Sequence, residues 1–104
     1  MTREEKAHLS AVASLGCIIC RRLGYMDTPC EIHHIRSGVG KAQRSSHFDV
    51  LPACPEHHRG ATGIHGLGTK GFVKRYGVTE HELLEEVRKL LEERRSQESI
   101  FGNI

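Results

Sequence analysis

Apolar residues recur at helical spacing at both ends of the chain and cluster in short runs between them. Ala7, Leu9, Val12, Ala13 and Leu15 roughly keep one helical stripe, opened by the capping-box pair Thr2 and Glu5 and stopped at Gly16. The pattern predicts a helix over about residues 3–15. Leu83, Leu84, Val87, Leu90 and Leu91 repeat the helical period after a second capping box, Thr79 to Glu82, and predict a helix over about 80–95. A shorter helix is expected over about 69–76, with Phe72, Val73 and Tyr76 inward and Gly77 as its stop. The middle reads differently. Residues 17–20 suggest a tight knuckle, 31–35 and 48–52 two short strands, and Pro55 the first turn of a helix carrying His57 and His58. Four glycines within residues 60–68 predict a loop there. Residues 96–104 are expected to fray or to dock through Ile100 and Phe101.

With 104 residues this is one domain, and with 38% apolar residues, 5% aromatic and no Trp its core is thin. Small domains of this kind often add a metal or disulfides. The opening residues lack the apolar stretch of a secretory leader, so a cytoplasmic setting with reduced thiols is expected. No apolar run approaches the roughly 20 residues that span a bilayer, so no membrane partner is expected. The net charge of +2 hides an asymmetry: residues 16–78 carry nine Lys/Arg against four acids, and residues 79–104 four against seven. A basic centre suits a polyanionic partner, although charge alone equally describes an ordinary solvated surface.

The chemistry is concentrated in Cys and His. Cys17-x-x-Cys20 and Cys54-x-x-His57 have the spacing of two zinc half-sites and together complete a closed Cys3His shell. Such a site would clamp the knuckle to the second strand and its helix, so that zinc contributes directly to folding. Cys30, alone after Pro29, is a rival ligand, but reads better as a small buried residue.

His33, His34 and His58 remain. Neighbours in a strand point to opposite faces, so His33 and His34 do not readily share an ion. A strand pair followed by a helix would place His33 and His58 on a second ion, with His34 nearby as a base. A neutral imidazole suits proton abstraction near neutral pH. The competing reading gathers all the histidines around one structural zinc.

The layout His33-His34, Asp49-Val50 and Cys54-x-x-His57-His58 resembles the HNH nuclease motif on a ββα-metal fold. The resemblance implies one small zinc-stabilised α+β domain over residues 1–104, with a ββα core at about residues 31–60 and flanking N- and C-terminal helices, His33 and His58 as ligands of a catalytic ion, and His34 as general base. Asp49 falls at the motif's middle Asn, which ties down the loop between the strands and so orients the base. His65 corresponds to a further ligand of some members, at a spacing that departs from the commonest pattern. Residues 24–36, Gln43-Arg44-x-Ser46-His47, Pro52-x-Cys54-Pro55-x-His57-His58-Arg59, Ile64-His65-Gly66 and Tyr76-Gly77 are similar to the phage RecA-dependent nucleases, the Ref-like recombination enhancement proteins. That likeness covers about residues 15–92. It implies a monomeric phage or prophage enzyme of a bacterial host that cuts DNA where a RecA filament has paired a strand with its target. Its cofactors would be a structural Zn2+ and a second divalent cation, Mg2+, Mn2+ or Zn2+. Arg36, Lys41, Arg44 and Arg59 flank the site and suit phosphate contacts. The alternative is a non-catalytic, zinc-stabilised nucleic-acid-binding module.

Overall fold

The computed structural model describes residues 1–35 and 46–102, with side chains through residue 97. The order is α1 (Arg3–Ala13), α2 (Ile18–Arg22), β1 (Glu31–His34), β2 (Val50–Ala53), α3 (Pro55–Arg59), α4 (Ile64–Tyr76) and α5 (Glu80–Gly102). It is a small α+β fold with one two-stranded antiparallel sheet. Among the described residues no helix is long and apolar enough to cross a membrane.

The first helix starts as its sequence dictates. The Thr2 hydroxyl accepts from the Glu5 N–H at 3.1 Å, and the Glu5 carboxylate accepts from the Thr2 N–H at 2.8 Å. Of the predicted stripe, Val12 and Leu15 are buried, whereas Ala7 and Ala13 face solvent. Gly16 follows in the left-handed region, and a Cβ there would meet the backbone of Asp27 at 3.0 Å. That close approach lets the Cys17 N–H donate to the Thr28 carbonyl at 3.0 Å, which folds residues 23–30 back and delivers the chain to β1. The expected knuckle is the single-turn helix α2, capped by Cys17 Sγ accepting from the Cys20 N–H at 3.4 Å.

The strands pair Glu31 with Ala53, Ile32 with Pro52, His33 with Leu51 and His34 with Val50. All four β2 residues are buried, because α1, α2 and α5 all pack against that strand. The alternation expected of a half-exposed strand is therefore absent from β2. It survives in β1, where His33 is buried and His34 half-buried.

The glycine-rich stretch departs from expectation. The loop ends at Gly63, and Ile64 to Leu67 are already helical; only Gly68, at φ 73° and ψ 172°, interrupts α4. Gly60, Gly63 and Gly66 serve close packing rather than a turn. A Cβ on Gly66 would lie 2.1 Å from the Gly60 carbonyl oxygen, and one on Gly63 2.5 Å from that of Glu56. Gly77 ends α4 in the left-handed region as predicted. Val73, expected inward, faces solvent because its neighbour Phe72 takes the core position on that turn. The last helix also exceeds expectation: α5 runs to Gly102, since residues 96–101 contain no helix breaker. Docking through Ile100 and Phe101 falls outside the described side chains. The capping box of α5 forms as expected, between Thr79 and Glu82.

Phe72 is 1% exposed and packs its ring 4.9 Å from that of Tyr76, whose hydroxyl donates to the Thr62 carbonyl. Truncation to alanine leaves a cavity in a thin core. Phe72→Ala is expected to lose about 3–5 kcal/mol in urea unfolding. A loss under about 1 kcal/mol would show that this side chain does not anchor α4.

Candidate metal centres

Among the described residues two separate clusters meet α3, one through His57 and the other through the adjacent His58. The first joins Cys17 and Cys20, at the start of α2, to Cys54 and His57. Their ligand atoms all lie within 4.8 Å of one another. His57 Nδ1 stands 3.6 Å from Cys17 Sγ, 3.4 Å from Cys20 Sγ and 3.3 Å from Cys54 Sγ, and the Cys20 and Cys54 sulfurs are 3.8 Å apart. Ligands at ordinary Zn–S and Zn–N lengths on a tetrahedron are separated by about 3.5–3.8 Å. The observed edges match, the cysteines form no disulfide, and the cluster fits a structural zinc. The donor chemistry agrees. Burial pushes the Cys17 thiol up to about 12 and holds the His57 imidazolium below its usual range. At Cys17 and His57 burial thus favours the neutral forms, and a dication is what would make a thiolate of Cys17. Cys30 lies apart and half-buried, its thiol donating to the Ala13 carbonyl at 3.4 Å.

The second cluster comprises His33 on β1, His58 on α3 and His65 on α4, again with ring nitrogens within 4.8 Å of one another. His33 is 4% exposed, and its ring centroid lies 5.2 Å from that of His58 and 5.0 Å from that of His65. His58 Nε2 and His65 Nε2 approach to 3.2 Å, an ordinary spacing for two ligands of one ion.

Two carboxylates that sequence reasoning did not single out brace these rings. Glu31 Oε1 accepts from His58 Nδ1 at 2.9 Å, and Glu80 Oε1 lies 2.5 Å from His33 Nε2. Glu31 also takes a two-point bond from Arg59, Nε to Oε1 at 3.0 Å and Nη2 to Oε2 at 2.9 Å. The Arg59 guanidinium and then His58 hold the Glu31 carboxyl far below the usual carboxylate range, at about 2. Arg59, expected on phosphate, thus directs its Nε and Nη2 donors to Glu31. A signal for Glu31 existed: it sits two residues before His33, on the same face of β1.

His34 projects to the other side of β1. Its Nε2 lies 3.0 Å from Nδ1 of His47, a residue whose role the sequence leaves open. Asp49, expected to steady the loop before it, bonds through Oδ1 to Arg88 Nη2 of α5 at 2.7 Å. Its backbone holds the strand entry, with the Asp49 carbonyl accepting from the Ile35 N–H at 3.0 Å. Arg36, Lys41 and Arg44 lie outside the described residues.

These features define a small α+β domain with a zinc-type Cys3His cluster and a distinct histidine triad beside a strand-borne histidine. The family model for recombination enhancement, RecA-dependent nucleases matches residues 1–92, and the chain belongs to that family. Membership points to a recombination-related nuclease role. No curated protein matches the chain.

Two tests follow from the geometry. Cys54→Ser is expected to lose the bound zinc, counted by metal analysis, and to unfold at markedly lower temperature than wild type. Unchanged zinc content would remove Cys54 from the shell. The second test concerns pH. Glu31 titrates lower in the folded than in the unfolded chain, so its contribution to stability is complete above its ordinary value of 4.5 and is lost as pH falls toward about 2. The gap in urea midpoint between wild type and Glu31→Ala is expected to shrink as pH falls below about 4.5. A gap that keeps widening below pH 4.5 would refute the assignment.

Proposed function

We propose that this chain is a metal-dependent DNA endonuclease of the HNH type, directed to its target by a RecA filament. The observation that carries the reading is the division within each histidine pair. His57 joins the cysteines while His58 joins His33 and His65, and His34 stands apart from both clusters. A motif with one purely structural metal would not need a second, differently oriented set of imidazoles.

In this reading β1, β2 and α3 form the ββα core. His33, His58 and His65 hold a divalent cation, which when bound neutralises charge on the phosphate and on the departing oxygen. Three imidazoles suit a transition metal, and water with phosphate oxygens would complete a magnesium or manganese shell. His34, in its neutral form, takes the proton of the attacking water. His47 lies within hydrogen-bond reach of His34 and fixes the direction of its ring. Asp49 holds the strand entry from which His34 is presented, through its backbone bond to Ile35 and its carboxylate bond to Arg88. Arg36, Lys41, Arg44 and the outer edge of Arg59 contact phosphates without reading sequence. Family membership supports the link to DNA and RecA.

His34→Ala is expected to cut a D-loop about 10²- to 10⁴-fold more slowly than wild type in Mg2+ or Mn2+, with zinc content unchanged. Equal rates would reject His34 as the base. The same assay with and without RecA and ATP separates a RecA-directed enzyme from a general HNH nuclease. Zinc at one equivalent with no cleavage under any condition would favour the non-catalytic nucleic-acid-binding module.

A further inference from the structure

Glu80 is an acid at the first position of α5, where the helix dipole favours a negative charge facing water. It does not face water. Its residue is 8% exposed, and its carboxylate is turned inward onto His33, itself 4% exposed. Nor does α5 need Glu80 as a cap, because Glu82 already closes the capping box with Thr79. A carboxylate withdrawn from solvent is costly unless a specific partner compensates it. Here the partner is one of the three rings of the second cluster, and Glu80 stands outside that group of three.

The consequence for His33 is chemical. An ionised carboxylate only accepts, so with Glu80 ionised and His33 neutral the Nε2 it touches carries the ring proton. That leaves Nδ1 with the lone pair. On the opposite side of the cluster the Glu31 carboxylate imposes the reverse choice on His58: Nδ1 is protonated and Nε2 carries the lone pair, 3.2 Å from His65 Nε2. The two rings thus present different nitrogens, each selected by its own carboxylate. Glu31 belongs to β1 and is read with the motif. Glu80 arrives from a helix 47 positions further along the chain than His33.

We propose that Glu80 is a positioning residue for the histidine triad: by holding the proton on His33 Nε2 it presents His33 Nδ1 to the divalent cation and ties ion affinity to the docking of α5. The inference rests on the triad being an ion site, as argued above. Outer carboxylates on ligand histidines typically change metal affinity by about 10- to 100-fold when removed.

The test uses the full-length, zinc-loaded chain as wild type, Glu80→Gln and Glu80→Ala, probed with Mn2+ alone. Ring nitrogen shifts before Mn2+ addition are expected to show His33 protonated on Nε2 in wild type and to lose that bias in Glu80→Ala. Mn2+ affinity is expected to fall about 10- to 100-fold in Glu80→Ala and by less in Glu80→Gln, whose amide oxygen still accepts the bond, while zinc stays at one equivalent. Glu80→Gln keeps the size of the side chain, so it reports even where Glu80→Ala fails to fold. A purely structural pin predicts a lower melting temperature with unchanged His33 tautomer and Mn2+ affinity within twofold of wild type; that result overturns the proposal. Wild type taking up no Mn2+ beside its zinc would overturn the ion-site reading itself, a failure distinct from equal affinity in wild type and both variants.

Discussion

The structure turns on the cluster that Cys54 and His57 make with Cys17 and Cys20 around the start of α3. Cys17 and Cys20 belong to the N-terminal part of the chain, and Cys54 and His57 to the strand and helix 34 or more positions later. Closing that cluster fixes the rotation of α3 about its own axis. Successive residues on an α-helix are about 100° apart, so once His57 is turned to the cysteines, His58 must point well away from them. It points to β1. The strand makes the complementary division, because successive residues there face opposite sides. His33 meets His58, and His34 does not. Two adjacent-histidine pairs are divided among three separate surroundings through the different periods of the two elements that carry them.

The third imidazole depends on backbone packing. His65 reaches His58 only because α3 and α4 approach so closely that Gly63 and Gly66 have no room for a Cβ. The same glycines that read as a loop signal in the sequence are, in the fold, what permits two helices to converge on one cluster. Glycine marks both a flexible connection and a close approach, and composition cannot tell them apart. This is why the sequence placed a loop over residues 60–68 while still singling out His65 as a candidate ligand.

Other parts were legible for definite reasons. The Cys3His set follows from spacing, because C-x-x-C and C-x-x-H each permit chelation from one tight turn. Both long helices were readable from capping boxes and stripe. The bracing carboxylates were harder. Glu80 carried a sufficient local explanation as an acid at a helix start, and its inward turn is decided by how α5 packs. The pairing of Arg59 with Glu31 was equally hidden, because a basic residue beside the motif suits phosphate without any reference to Glu31. Long-range side-chain pairing of this kind leaves no periodic trace. The extension of α5 past residue 95 went unread because the apolar stripe fades there, although nothing in the sequence breaks the helix.

Arg59, Glu31 and His58 form a continuous chain from a solvent-facing cation to a buried-side imidazole. The Arg59 side chain is 65% exposed, that of Glu31 34% and that of His58 16%. Exposed ion pairs contribute little to stability on their own, since water and salt screen them. The value of this chain is therefore geometric. A two-point guanidinium bond holds the carboxylate plane, and the carboxylate fixes which His58 nitrogen faces inward. Arg59 and His58 are thus joined through Glu31 by two successive hydrogen bonds, on a side of α3 turned away from the Cys3His cluster.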